Sequence, residues 1–404
     1  MTQLHGIRVL DLSRILAGPW CTQLLADFGA DVVKVEKPLE GDDTRHWGPP
    51  FLHGKNGEDV AAYFLCCNRG KRSITVDFTH AEGAKLLRAL AAQAHVLVEN
   101  FRPGTLAKYG LDYASLHALN PRLVYCSISG FGQDGPNSHR AGYDAMIQAE
   151  AGLMSVTGVP DGLPGAGPAK VGVAVSDLMC GMYASSAILA ALHAASQSGL
   201  GAHLDIPLFD TQVAWLANQG MNFLVSGKAP SRLGTAHPNI APYQVFATAD
   251  GHLMLAVGND MQFRRFCEEA DCGALADDVR FLTNAARVAH REALIAALSP
   301  VLRSRTTHEW QSWLVLAGVP CGPVNDLAGV FAHPQTTAHE LSFRMLHPQI
   351  GPLPQIANPV RRNGATQCAT LPPPRLGEHN ESVLGELGLD AAAIAALRAS
   401  GAVG

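Results

Sequence analysis

GIRVLDLSRILAGPWCTQLLADFGADVVKVEKP, residues 6–38, reads as strand, helix, strand. Ile7 to Leu12 is a short apolar run. Pro19 to Phe28 has a helical pattern, with Pro19 suited to a first turn that needs no N–H and Gly29 suited to the stop. Asp31 to Glu36 (DVVKVE) is a second strand. The same rhythm continues with strand Ser73 to Phe78, helix Ala81 to Ala92, strand Ala94 to Val98, a short helical piece and strand Arg122 to Ile128. Strands alternating with helices at this spacing predict a parallel sheet covered by helices on both faces, an α/β, Rossmann-like domain.

Ligands of such sheets bind outside the carboxyl ends of the strands. Here those ends carry Ser13 to Gly18, Glu36-Lys37, Asp77-Phe78, Asn100-Phe101-Arg102 and the loop Gly130 to Gly135. Around them cluster Arg14, Arg45, Arg69, Lys71, Arg72, Arg102, Lys108 and Arg140. The chain as a whole has a net charge of −5 and offers no general attraction to nucleic acid or an anionic membrane. An anionic ligand therefore has to be held by this local positive charge.

Beyond the first 200 residues the pattern changes. Gly199 to Leu204 turns into another strand, and a helix runs to about Phe223. QVFATADGHLMLAV predicts a hairpin about Ala249-Asp250-Gly251, and short helices follow it. The expected division is a large domain over 1–200, a small α+β domain over 227–325, and a C-terminal return over 326–404 that ends in a helix pair. The nine cysteines are scattered and mostly lie in apolar runs, so they predict reduced thiols in a cytoplasmic protein. Their spacing gives no metal site, and the N-terminal stretch does not read as a secretory signal.

Gly130-Phe-Gly132-Gln-Asp-Gly135 matches the dinucleotide fingerprint, but Pro136, Asn137, Ser138 and His139 follow where a helix would have to open. A loop fits better. Neither a phosphate-binding G-x-x-x-x-G-K-[ST] nor a G-x-S-x-G nucleophile elbow is present. That leaves VGVAVSDLMCGMYASSAILAAL, residues 171–192, whose one charged residue is Asp177. With a helix expected from Leu178 to about Ala195, Asp177 or Ser176 could be its N-cap. Yet the apolar approach would bury such a cap, and a buried carboxylate at a helix start can also serve as a nucleophile toward an activated acyl group.

The chain resembles the family III CoA-transferases, the group that also contains α-methylacyl-CoA racemase. The resemblance runs through the opening stretch, VENFRPGTLAKYGLDYASL, SISGFGQDGP, AGYDAM, SDLMCGMYASSAILAAL, VPCGPVNDL and LGEHNESVLGELGL. It implies that Asp177, in D-x-x-x-G with Gly181, is the nucleophile. It also implies coenzyme A as co-substrate, with no metal, held by Leu16, Ala17, Lys37, Val76, Asp77, Phe78, Thr79, Asn100, Phe101, Arg102, Lys108, Ala141, Gly142, Tyr143 and Asp144. A further implication is an interlocked homodimer. The racemase branch places a His before the Asp of its G-x-D element; Tyr143 stands there, so racemisation is the weaker alternative. A non-catalytic CoA-binding protein is another.

Within the family, GDDTRHWGPPF, HRAGYDA and GTAHPNIAPYQVFATADG resemble the succinyl-CoA-dependent dicarboxylate enzymes. Transfer to an acid such as glutarate, hydroxymethylglutarate, itaconate, mesaconate or malate is then expected. The distal carboxylate of such an acid calls for an arginine fork, for which Arg14, Arg45 and Arg140 are the candidates. The glycine run that closes over the intermediate in the formyl-CoA enzyme has no counterpart in Thr235 to Tyr243.

Overall fold

The computed structural model describes residues 2–404 and divides them into two units. The first comprises residues up to Leu153, Lys170–Gly227 and Pro334–Gly404; the second comprises Met154–Ala169 and Lys228–His333.

The first unit is built on six parallel strands: β1 (Arg8–Asp11), β2 (Asp31–Glu36), β3 (Lys71–Thr75), β4 (Val96–Glu99), β5 (Val124–Ser129) and β6 (His203–Pro207). Their spatial order is β6-β5-β4-β1-β2-β3. The chain thus winds outward from β1 in one direction, returns to β4 on its other side, and winds outward again. Val9 pairs with Val32 of β2 and with Val96 of β4. The reversal between β1 and β4 opens a crevice at their carboxyl ends.

Alternation along the strands feeds two cores. Val9, Val32, Val96, Val98 and Cys126 face helices α1 (Ala17–Asp27) and α3 (Val175–Ser198), where Cys21, Leu25, Cys180, Ala184 and Ile188 meet them. Leu10, Val33, Val35, Ile74 and Leu97 face the opposite way, toward helix Ala81–Gln93 and the C-terminal helices Asn380–Glu386 and Ala391–Ala399. Each such fully buried aliphatic side chain contributes roughly 1.5–3 kcal/mol. Helix α2 (Asp144–Glu150) and helix α4 (Leu208–Ala214) complete the edge near the crevice.

The expected third strand, Ser73 to Phe78, lies earlier, at Lys71–Thr75; Val76 N–H still donates to the Glu36 carbonyl at 2.9 Å, but Val76 also bridges Val403, and Asp77 N–H turns to the Ala402 carbonyl at 2.9 Å. Helix α3 starts at Val175, three residues before the expected Leu178. It is also less enclosed than its composition implies. Ser176, Cys180, Ala184 and Ile188 form a buried stripe at four-residue spacing, while Met182 and Tyr183 stay 42% and 45% exposed. The Gly130 to Gly135 loop opens no helix, since the next one begins at Asp144.

The second unit holds a three-stranded antiparallel sheet, Tyr243–Ala247, His252–Ala256 and Cys321–Pro323, with helices that include Asp260–Glu269, Arg291–Leu302 and Thr307–Leu316 around buried Trp310, Phe263 and Phe266. The hairpin turns through Ala249-Asp250-Gly251, where Gly251 N–H donates to the Thr248 hydroxyl.

Candidate active site

A cavity of about 380 Å³ lies in the crevice between β1 and β4. Arg14 to Ala17 enter it from the end of β1, Asn100 to Pro103 from β4, Ile128 to Gly130 from β5, and Leu208 from just after β6; Arg140 to Asp144 and Asp177 complete the wall. Two loops can meet here because both are glycine at the crossing. A Cβ on Gly142 would stand 2.2 Å from the Gly130 Cα.

Asp177 is the third residue of α3, and its carboxylate accepts no hydrogen bond among the described residues. It is not the cap. Asp144, from α2, caps the helix instead, its Oδ1 accepting from Ser176 N–H at 2.8 Å and Asp177 N–H at 3.4 Å. Its Oδ2 accepts from buried Gln148 at 2.7 Å, and Gln148 in turn accepts from Val171 N–H at 3.0 Å. Relieved of capping, the Asp177 carboxylate faces the cavity with few compensating partners. Burial, and then the Asp144 charge, push its pKa up to about 7.

Gly181 fixes the height of this carboxylate. One helical turn beyond Asp177, a Cβ there would come within 2.6 Å of the Ala17 carbonyl oxygen, so α3 lies directly on the start of α1. That start has no side-chain cap, and the N–H groups of Leu16 and Ala17 have no partner among the described residues. They border the same cavity as Asp177.

The structure brings together most of the residues singled out in the sequence: Leu16, Ala17, Asn100, Phe101, Arg102 and Ala141 to Asp144, with Arg14 and Arg140. Others lie outside this lining. Lys37 pairs with Glu40 at 2.7 Å, Asp77 accepts from Thr79 N–H and hydroxyl, and Lys108 is exposed. Val76 is core, and Phe78 packs edge-on against Phe101 and Tyr109. Arg45 is also outside, its fork gripping Glu36 at 2.7 and 2.8 Å.

The expected positive cluster is accordingly smaller than its count. Arg45, Arg69, Lys71 and Arg72 are held by Glu36, Asp27, Asp11 and Asp31. Charges this deep are retained only when paired. Arg14 bonds Asp43 at 3.2 Å and Arg140 bonds Glu150 at 2.5 Å, whereas Arg102 has no charge partner among the described residues.

Two features had no signal in the sequence. Tyr63 has its phenol pushed up by burial and then by the Asp177 charge; its ring meets Trp47 edge-on at 5.2 Å. Ile15, in the cavity wall, has φ +72°. Among the described residues, no group of three or more His, Cys, Asp or Glu is placed to hold a metal ion.

A parallel sheet with its crevice at the β1–β4 reversal, and a bare carboxylate at a helix start within it, make this crevice the candidate active site of a Rossmann-like domain. The chain belongs to CoA-transferase family III, which it matches over residues 4–380. It is 50% identical over 385 residues to the succinate–glutarate CoA-transferase of Agrobacterium fabrum, covering 95% of each chain. It is 41% identical to the succinyl-CoA:glutarate CoA-transferase of Homo sapiens, over 99% of this chain and 90% of that one. Among solved structures it resembles a CAIB/BAIF family protein from Brucella suis, with 49% identity, a TM-score of 0.85, and coverage of 96% of this chain and 99% of the other.

Proposed function

We propose that the enzyme moves CoA from succinyl-CoA to a small dicarboxylic acid, with glutarate the first acceptor to test, through covalent intermediates on Asp177. The observation that carries this reading is the carboxylate itself: at a helix start, in the crevice, and freed from capping by Asp144. The similarity to the glutarate enzymes supports the choice of donor and acceptor class.

In this reading the ionised Asp177 carboxylate attacks the thioester carbonyl, and CoA leaves as the thiolate, giving a mixed anhydride. Attack of the thiolate on the aspartyl carbonyl releases succinate and leaves an aspartyl thioester. The acceptor carboxylate then runs the two steps in reverse. Each of these steps needs N–H donors for its oxyanion, and at the start of α3 those of Ser176 and Asp177 are already taken by Asp144. The unpaired N–H groups of Leu16 and Ala17 suit that role better. A cavity of about 380 Å³ suits the thioester end of CoA, with the nucleotide outside it. For the distal carboxylate Arg14 is the best of the three candidates, because its pair with Asp43 is 46% exposed on both sides and is held weakly.

A panel of acids assayed with succinyl-CoA tests the reading. Transfer to at least one dicarboxylate, abolished in a folded Asp177→Ala variant, is expected; no transfer to any acid would end it. Racemisation has no observation in its favour, since Tyr143 stands where its His would.

The homodimer belongs to the same proposal. Trp215, Met221, Phe223, Leu224 and Val225, with Met182 and Tyr183, leave a run of apolar side chains 38–82% exposed on a single chain. Nine free cysteines accord with a reducing cytoplasm.

A further inference from the structure

The turn from β1 into α1 carries Arg14, Ile15, Leu16 and Ala17 into the cavity, with Ile15 at φ +72°. A β-branched residue keeps that conformation only where its surroundings impose it. Ile15 N–H donates to both oxygens of Asp42, at 3.2 Å each. Asp42 also accepts from Thr44 N–H at 3.0 Å and its hydroxyl at 2.8 Å, and from Lys34 Nζ at 2.8 Å. Lys34 has a second bond, 3.0 Å to the Ser13 carbonyl. The turn is therefore gripped on both sides of Arg14. Across the crevice, Arg14 N–H donates to Asn100 Oδ1 and Arg14 carbonyl accepts from Asn100 Nδ2, at 2.9 and 2.8 Å.

Both side chains of the Lys34–Asp42 pair are fully buried. Position 34 lies between Val33 and Val35, and an apolar residue there would spare the desolvation of a charge; buried pairs of this kind are often no more stabilising than apolar substitutes. Core stability is thus a poor account of the pair, and the turn is what it touches.

We propose that Lys34 and Asp42 are positioning residues for acyl transfer: together they hold the Ser13–Ala17 turn in the left-handed conformation at Ile15 that presents Arg14 and the Leu16 and Ala17 N–H groups to Asp177. This rests on the function proposed above.

The test uses the full-length protein. Asp42→Asn lowers kcat/KM about tenfold or more, as small misplacements at a reacting centre do, and amide exchange across Ser13–Gly18 speeds up. Adding Ile15→Gly to Asp42→Asn recovers part of the lost kcat/KM, because glycine takes a positive φ unaided. Should Asp42→Asn not fold, Ile15→Pro keeps both side chains of the pair but removes the N–H and sets φ near −65°, at some cost in stability; about the same loss of kcat/KM is expected in the folded variant. Wild-type kcat/KM in a folded Asp42→Asn or Ile15→Pro variant overturns the proposal, as does a loss that Ile15→Gly does not recover. A wild-type protein that transfers CoA to no acid would sink the function instead, and the exchange rates would still decide whether the pair holds the turn.

Discussion

Asp177 is a carboxylate whose neighbours take hydrogen bonds away from it. Its own N–H and that of Ser176 go to Asp144, and the pKa of Asp177 rises to about 7 through burial and then the Asp144 charge. Attack requires the ionised form, so kcat/KM is expected to rise with pH and level off above about 7. Asp144→Asn, which keeps an oxygen for the cap but removes the charge, shifts that limb to lower pH. Glu99, whose pKa burial also raises to about 7 and which accepts from Phe101 N–H at 2.8 Å, is the other group able to shape the profile. Glu99→Gln separates the two: the limb stays if it belongs to Asp177. Stability carries the opposite sign to activity. From the ordinary value of 3.8 up to about 7 the folded protein holds a proton that the unfolded chain has released, so stability falls as pH rises through that window. Asp177→Asn is therefore expected to melt higher than wild type at pH 8, by on the order of 2–5 °C. The advantage disappears near pH 4, and calorimetry at the two pH values checks it.

At the scale of elements, the packing of α3 on α1 sets where the carboxylate stands. Gly181→Ala gains up to about 1 kcal/mol of helix propensity, but its Cβ would meet the Ala17 carbonyl oxygen at 2.6 Å. A Cβ against a backbone carbonyl has no soft way to yield, so the clash wins: a net loss of roughly 1–3 kcal/mol and a fall in kcat/KM are expected in denaturant melts and assays. Ser196→Ala, exposed near the far end of α3, serves as the control. The strand ends that build the crevice were legible because apolar runs and Gly or Pro stops mark them. The start of α3 was not, because VGVAV is apolar whether extended or helical and the cap comes from Asp144, 33 residues earlier in the chain. Lys34 was hidden too. In DVVKVE a lysine reads as the polar position of an alternating strand, and its partner lies in a loop eight residues on.

For the whole molecule, the order of the sheet follows from the alternation of strands and helices, and the site follows from the order. Neither charge count nor composition could say which cations were free, since that depends on pairs such as Arg69 with Asp27 that only the fold brings together. The unit boundaries also differ in detail from the expected ones: Gly199 to Gly227 stay with the sheet, and Met154–Ala169 join the second unit. The apolar side chains exposed on α3 and on helix Ala217–Ser226 predict a dimer, with a mass by light scattering of twice the 42.7 kDa of the chain; a monomer at micromolar concentration would contradict it. The central claim, that Asp177 carries the acyl group and then CoA, is tested most directly by incubating the enzyme with succinyl-CoA, trapping with borohydride, and locating the modified peptide by mass spectrometry. The account predicts reduction at Asp177 alone, absent from Asp177→Asn; turnover with no modified residue, or with the label elsewhere, would contradict it.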